Sequence, residues 1–302
     1  MQASWSGLRW TFTVRHRAPV PPLQVIGPKA LQLARAGIVA CTSCTRLRTY
    51  CAEVARTRRA AYRNDVYWGL PVPGYGDPAA RIFVLGLAPA AHGANRTGRV
   101  FTGDGRGGSG DFLMAALHRA GLSSIPTSQT ADDGLVLRGV FVGAAARCAP
   151  PDNAPRPEEV RACRRHLAAE VAALPDLRVV VALGKIAWDA WLAFVGDQAA
   201  LPRPRPVFSH GAVARVAPGA APPAGLTLVG CFHPSRQNTH TGRVTPAMYD
   251  EVLALASRLA RDRVSGLGSR GEGLGARGPE RDSGTRVGGL STRDCTQNER
   301  SE

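Results

Sequence analysis

Four short stretches of the chain are apolar at nearly every position: "RIFVLG" at 81–86, "GVFVGAAA" at 139–146, "LRVVVALG" at 177–184 and "LTLVGCF" at 226–232. Runs this short, rich in Val and Ile and lacking polar alternation, predict strands buried on both faces, as in a parallel sheet. Between them the period changes to that of helices. "SGDFLMAALHRAG" offers Ser109 as an N-cap and Gly121 as a stop, and "RPEEVRACRRHLAAEVAAL" opens on Pro157 and two acids. "GKIAWDAWLAFV" follows its strand at once, and "TPAMYDEVLALASRLARD" predicts a last helix. Alternating strands and helices predict a single doubly wound α/β layer sandwich, whose ligands sit at the carboxyl ends of the strands.

The ends of the chain read differently. Residues 1–28 mix Trp, Arg and Pro without period, and from 263 to 302 the chain is Gly- and Arg-rich and non-periodic. Neither composition repays ordering entropy by burial, so both predict disorder, a leader and a tail around a folded domain at 29–262. Of the 302 residues 44% are hydrophobic, enough for a sizeable core. No run of about 18 apolar residues predicts a membrane span, and the N-terminus lacks the apolar centre of an export signal. A cytoplasmic protein with reduced thiols is expected.

Charge narrows the class of partner. The chain is +15, and residues 1–40 carry five Lys or Arg and no acid while 263–302 carry seven Arg against six acids, so most of the excess lies in the fold. That suits a polyanion such as nucleic acid. A general Arg bias accounts for it equally, since only Lys29 and Lys185 are lysines.

Seven cysteines add a second chemistry. Cys41 and Cys44 form "CTSC", and Cys148 and Cys163 lie in "RCAPPDNAPRPEEVRAC". Two thiolates on a turn and two more from a loop and the next helix would complete four ligands, for tetrahedral zinc or for a [4Fe-4S] cluster; spacing does not separate them. Cys51, Cys231 and Cys295 join no pair.

Two loops follow predicted strands: "GLAPAAHGANRTGRVFTGD" at 86–104 and "FHPSRQNTHTGR" at 232–243. The first has no lysine for a phosphate and no acidic cluster for a metal. Together with the cysteine set, "RCAPPDN" and "ALGKIAW", these loops resemble the uracil-DNA glycosylase superfamily, in particular its family 5, the type b or iron–sulfur branch. The resemblance spans roughly residues 30–262. It implies a central four-stranded, mainly parallel sheet flanked by helices, a structural [4Fe-4S] cluster on Cys41, Cys44, Cys148 and Cys163, and removal of deaminated bases from DNA by hydrolysis of the glycosidic bond.

In that reading Gly86 and Pro89 shape the first loop, Gly86 and Ala88 bind the substrate, Phe101 stacks on the extruded base, and His233 donates to a pyrimidine carbonyl as the leaving group gains charge. Asn95 is expected to orient the attacking water. Asn153 contacts the base or the backbone, and Ser235, Arg236 and Arg243 meet the DNA strand. Asp104 is expected to hold Thr102 or the loop backbone. Leu87 and Ala88 stand where other branches carry a polar or acidic residue, and Ala144 where they carry an Asn that reads uracil. Both departures predict tolerance for hypoxanthine. A monomer is expected. The competing readings are a metal-stabilised nucleic-acid-binding module without catalysis and a hydrolase of free nucleosides.

Overall fold

The computed structural model describes residues 29–198, 201–216 and 225–261. The predicted leader at 1–28 and tail at 263–302 fall outside the described residues. The first described elements are α1 (Lys29–Val39) and α2 (Thr45–Thr57), neither of them predicted. Strand β1 (Tyr75–Gly76), β2 (Ile82–Gly86), the short α3 (Ala94–Thr97) and α4 (Ser109–Arg119) follow. Next come β3 (Val140–Ala144), α5 (Pro157–Ala172), β4 (Val179–Leu183) and α6 (Lys185–Gly196). The chain continues through β5 (Val213–Val216), β6 (Leu226–Cys231), α7 (Arg236–His240) and α8 (Pro246–Arg261).

The α/β layer sandwich is as predicted, with six strands instead of four, in the order β1-β3-β2-β4-β6-β5. The four predicted strands form the parallel centre, with Leu85 beside Gly143 and Ala182, and Leu183 beside Cys231. The two additions are antiparallel rims, β1 on β3 and β5 on β6. Every residue of β2, β3 and β4 is buried, as continuous apolar runs require when helices cover both faces.

Strand residues alternate between two cores. Val84, Val142, Val181 and Val229 pack with Leu113, Met114 and Leu117 of α4 and Val252, Leu253 and Ala256 of α8. Phe83, Leu85, Phe141, Val180 and Leu228 face Leu31 of α1, Leu167 and Val171 of α5, and Trp188, Trp191 and Leu192 of α6. Each such side chain contributes about 1.5–3 kcal/mol when fully buried. The helix ends follow sequence chemistry. Pro157 begins α5, and the Glu159 carboxylate accepts from the backbone N–H of Arg156 at 2.7 Å. Gly121 takes φ +73° just past α4. Ser109 is the first helical residue of α4 and not its cap, which is Gly108.

One buried ion pair ties the layers. Arg147 donates to both oxygens of Glu170 at 3.0 and 2.7 Å, and Glu170 also accepts from the N–H of Gly74 at 2.8 Å. Among the described residues, no helix is long and apolar enough to cross a membrane.

Candidate active site

The parallel strands end level with one another, and the loops that leave them enclose a cavity of about 490 Å³. Its walls come from four strand exits: Leu87, Ala88, Phe101 and Asp104 after β2, Asn153 after β3, Lys185 and Ile186 after β4, and His233, Ser235 and Arg236 after β6. A volume in this range, mostly apolar and with a few convergent polar groups, suits a small planar ligand.

Phe101 and His233 both line the cavity and lie side by side, with ring centroids 6.1 Å apart and planes inclined by 33°. The Phe101 backbone has φ +52°, a conformation that a bulky residue adopts only when its surroundings impose it. Two glycines make room for it. A Cβ on Gly86 would stand 2.7 Å from the Phe101 ring, and one on Gly110 would stand 2.2 Å from the Phe101 carbonyl oxygen. Gly86 thus acts by absence, and it is not among the residues lining the cavity.

His233 sits on a loop that ties itself down. Asn238 donates its side-chain amide to the His233 carbonyl at 2.8 Å, and Ser235 caps α7 by accepting from the Asn238 N–H. Burial pushes the imidazole down to about 4, so it is neutral at physiological pH and carries one N–H to donate.

Asp104 holds backbone, as one of the two expected roles had it, though at the start of α4. It is among the residues lining the cavity, and its carboxylate accepts the Gly110 N–H at 3.2–3.3 Å. Burial raises its pKa, against the backbone N–H groups of Gly110 and Ser109 that lower it. An acid in a Gly-rich loop gives no sequence signal for this; only its distance of five residues from the α4 helix start hints at it.

Asn95 requires a correction. It is fully buried in α3 away from the cavity, and its amide is donated to the carbonyls of Cys51 at 3.3 Å and Ala91 at 3.4 Å. That side chain joins α3 to α2, so it is not placed to hold a water in the cavity. Arg236 is exposed at the cavity mouth and donates to the Asp104 carbonyl at 3.0 Å. Arg243 is exposed, does not line the cavity, and has its guanidinium 5.7 Å from the centre of the Phe232 ring. Asn153 is exposed on the rim with φ +56°, next to Asp152 at φ +54°. Ala144, at the end of β3, is buried and offers no polar group.

The four predicted cysteines lie on the flank of the domain, on the α1–α2 turn, after β3 and in α5. The Cys44 thiol is pushed up to about 11, first by burial and then by the proximity of Cys163, Cys148, Glu159 and Cys41. Burial raises Cys163 as well, with Cys148 and Cys41 adding to it and the Arg147 N–H opposing. Burial acts on Cys41 too, but N–H donors from Ser43 and Arg165 outweigh it and lower that thiol; Arg165 Nη2 lies 3.1 Å from its sulfur. As they stand, no three His, Cys, Asp or Glu side chains among the described residues close into a group that would hold a metal ion.

A larger cavity of about 750 Å³ lies by β1, lined among others by Trp68, Tyr75, Arg96 and Arg99. None of the strand-exit residues named above reaches it, and two of its three arginines are engaged, Arg96 with Asp65 and Arg99 with Asp133. The chemistry therefore belongs to the smaller cavity.

The model for the uracil DNA glycosylase superfamily matches residues 73–256, which include every residue named on the cavity wall. The chain belongs to that superfamily, whose members are DNA glycosylases. Within it the likeness is to the type-5 enzymes. The type-5 uracil-DNA glycosylase of Thermus thermophilus is 51% identical over 223 residues, covering 74% of this chain and 95% of that protein. That of Mycobacterium leprae is 47% identical over 235 residues, 78% of this chain and 97% of the relative. That of Pyrobaculum aerophilum is 44% identical over 220 residues, 73% and 89%.

Proposed function

We propose that the protein excises uracil, and other deaminated bases such as hypoxanthine, from DNA, leaving an abasic site. The observation that carries this reading is the neighbouring pair of Phe101 and His233 at the strand ends, with Asp104 lining the same cavity. A glycosidic bond inside a duplex is out of reach, so the nucleotide must be extruded into such a cavity. Phe101 then stacks on the base. The neutral His233 donates its N–H to a base carbonyl, where negative charge grows as the bond to the sugar breaks, and that hydrogen bond strengthens in the transition state.

Bond loosening leaves positive charge on the sugar. The Asp104 carboxylate stabilises it and accepts a proton from the water that adds to the anomeric carbon, and its raised pKa makes it the better base. The side chains of Leu87, Ala88, Ala90 and Ala94 are apolar and offer no hydrogen bond to an edge of the base, leaving Thr102, Ser109 and Asn153 as the further neutral polar groups beside Ser235, which supports a permissive substrate range. Arg236 and Arg243 are exposed cations suited to backbone phosphates.

The four cysteines support a [4Fe-4S] cluster. Two of them stand on the α1–α2 turn, one after β3 and one in α5, a four-thiolate set of the kind such a cluster takes. A cluster would supply structural closure between the α1–α2 turn and α5. That link is already supported by Arg46 on Glu159 at 2.8 Å and Arg165 on Ser43. Iron and acid-labile sulfide content of the purified protein test it, and zinc in place of iron would refute it.

Activity is tested by base release from a labelled duplex containing one uracil, read as strand breakage after alkali. Release is expected, lowered by His233→Ala and, by about 10²–10⁴, by Asp104→Asn. Binding without release would establish the non-catalytic module instead, and release from a free nucleoside would establish a nucleoside hydrolase. Release of uracil alone from a panel with hypoxanthine and xanthine would refute the permissive pocket.

A further inference from the structure

Ile186 stands at the cavity mouth with no part in the chemistry described. It occupies the first turn of α6, two residues after the Gly184 turn that ends β4, and it is 54% exposed. Among the described residues, six large apolar side chains are exposed, and Ile186 alone of these lines the cavity. Leaving an isoleucine in water forgoes the stabilisation that burial would bring.

Its surroundings show what would cover it. Lys185, also on the rim, is 71% exposed and pairs with Asp189 one turn along. Across the mouth stands Arg236, and the α7 loop presents Arg236 and Gln237, both exposed and polar, but no apolar group. The support beneath Ile186 is rigid, since Ala187, Trp188 and Trp191 are buried against the sheet. An apolar side chain flanked by cations, projecting beside a cavity that takes a single base, matches a wedge that enters a base stack while the cations hold the phosphates.

We propose that Ile186 is that wedge, filling the gap the extruded base leaves and entering from the β4 side of the mouth and not from the loop of His233. This inference rests on the base-extrusion reading above. The side chain is a positioning group and touches no reacting atom.

The test compares single-turnover uracil release by the full chain, Ile186→Ala and Ile186→Leu on uracil in a single strand, opposite G and opposite A. Extrusion is hardest from the stacked and paired U·A site, so Ile186→Ala should lose about tenfold there, less on U·G and least on the single strand. Ile186→Leu should stay near the unaltered protein. A 2-aminopurine beside the uracil should brighten on binding of the unaltered protein and brighten less with Ile186→Ala. Equal losses on all three substrates, or an unchanged 2-aminopurine signal, would overturn the wedge while the glycosylase reading stands. No release from any substrate by the unaltered protein would overturn both.

Discussion

A methyl group on Gly86 would stand 2.7 Å from the Phe101 ring, and the ring has no free end to swing aside. Gly86→Ala is therefore expected to move the stacking face and lower uracil release by about tenfold to a hundredfold, as misplacements near 1 Å do, and to cost about 1–3 kcal/mol of stability through overpacking. Asn95→Ala should lower stability alone. Because its amide is spent on the Cys51 and Ala91 carbonyls, the change should cost about 1–3 kcal/mol of stability and leave the turnover of the folded fraction unaltered, measured by denaturant titration and single-turnover assay. Protonation gives a third expectation. His233 and His166 are both pushed down to about 4 by burial, Arg147 and Arg165 adding to the effect at His166. In the unfolded chain each titrates near its ordinary value of about 6.5, so the unfolded state binds more protons between pH 4 and 6.5. Stability must fall on acidification through that window and be flat above it, by up to about 1.4 kcal/mol per pH unit for each histidine. His166→Gln should flatten part of that slope. The sequence made Phe101 and His233 legible because each closes a motif after a strand. It placed Asp104 on backbone N–H groups correctly but misplaced Asn95, since whether a polar side chain in a Gly-rich loop faces the cavity or a neighbouring carbonyl depends on the turn of the loop and not on composition.

The four central strands and the four long helices after β2 could be read at the level of elements because continuous apolar runs and a 3.6-residue period are strong signals. Strand β1 could not: two residues among prolines and glycines have no pattern, and they pair only because β3 presents an open edge. Helix α1 was legible in principle, since Leu31, Ala34 and Ile38 are its buried face at helical spacing. Helix α6 carries a sharper test. Trp188 donates its indole N–H to the Pro206 carbonyl at 3.2 Å, whereas the Trp191 N–H is buried without a partner. Trp188→Phe should thus cost about 1 kcal/mol more than Trp191→Phe, because only the former orphans a carbonyl and frees a loop. Chemical denaturation of the two variants measures the difference.

For the whole molecule, charge and the buried pair decide behaviour. With a net charge of +15, affinity for DNA should fall steeply with salt. The logarithmic slope should shrink by about one unit for Arg236→Ala if that guanidinium meets a phosphate, as binding at several ionic strengths would show. Glu170→Ala, which leaves the Arg147 guanidinium buried and unpaired, should cost about 3–5 kcal/mol. The rims of the sheet carry a different consequence. A protein that searches a long polyanion is crowded along it, copy against copy, in the conditions where open strand edges zip together. Here one edge is a strand of two residues and the other is a strand of four with Arg215 standing out into solvent, a poor template for a neighbour's backbone. Copies gathered on one stretch of duplex should slide past each other and stay dispersed.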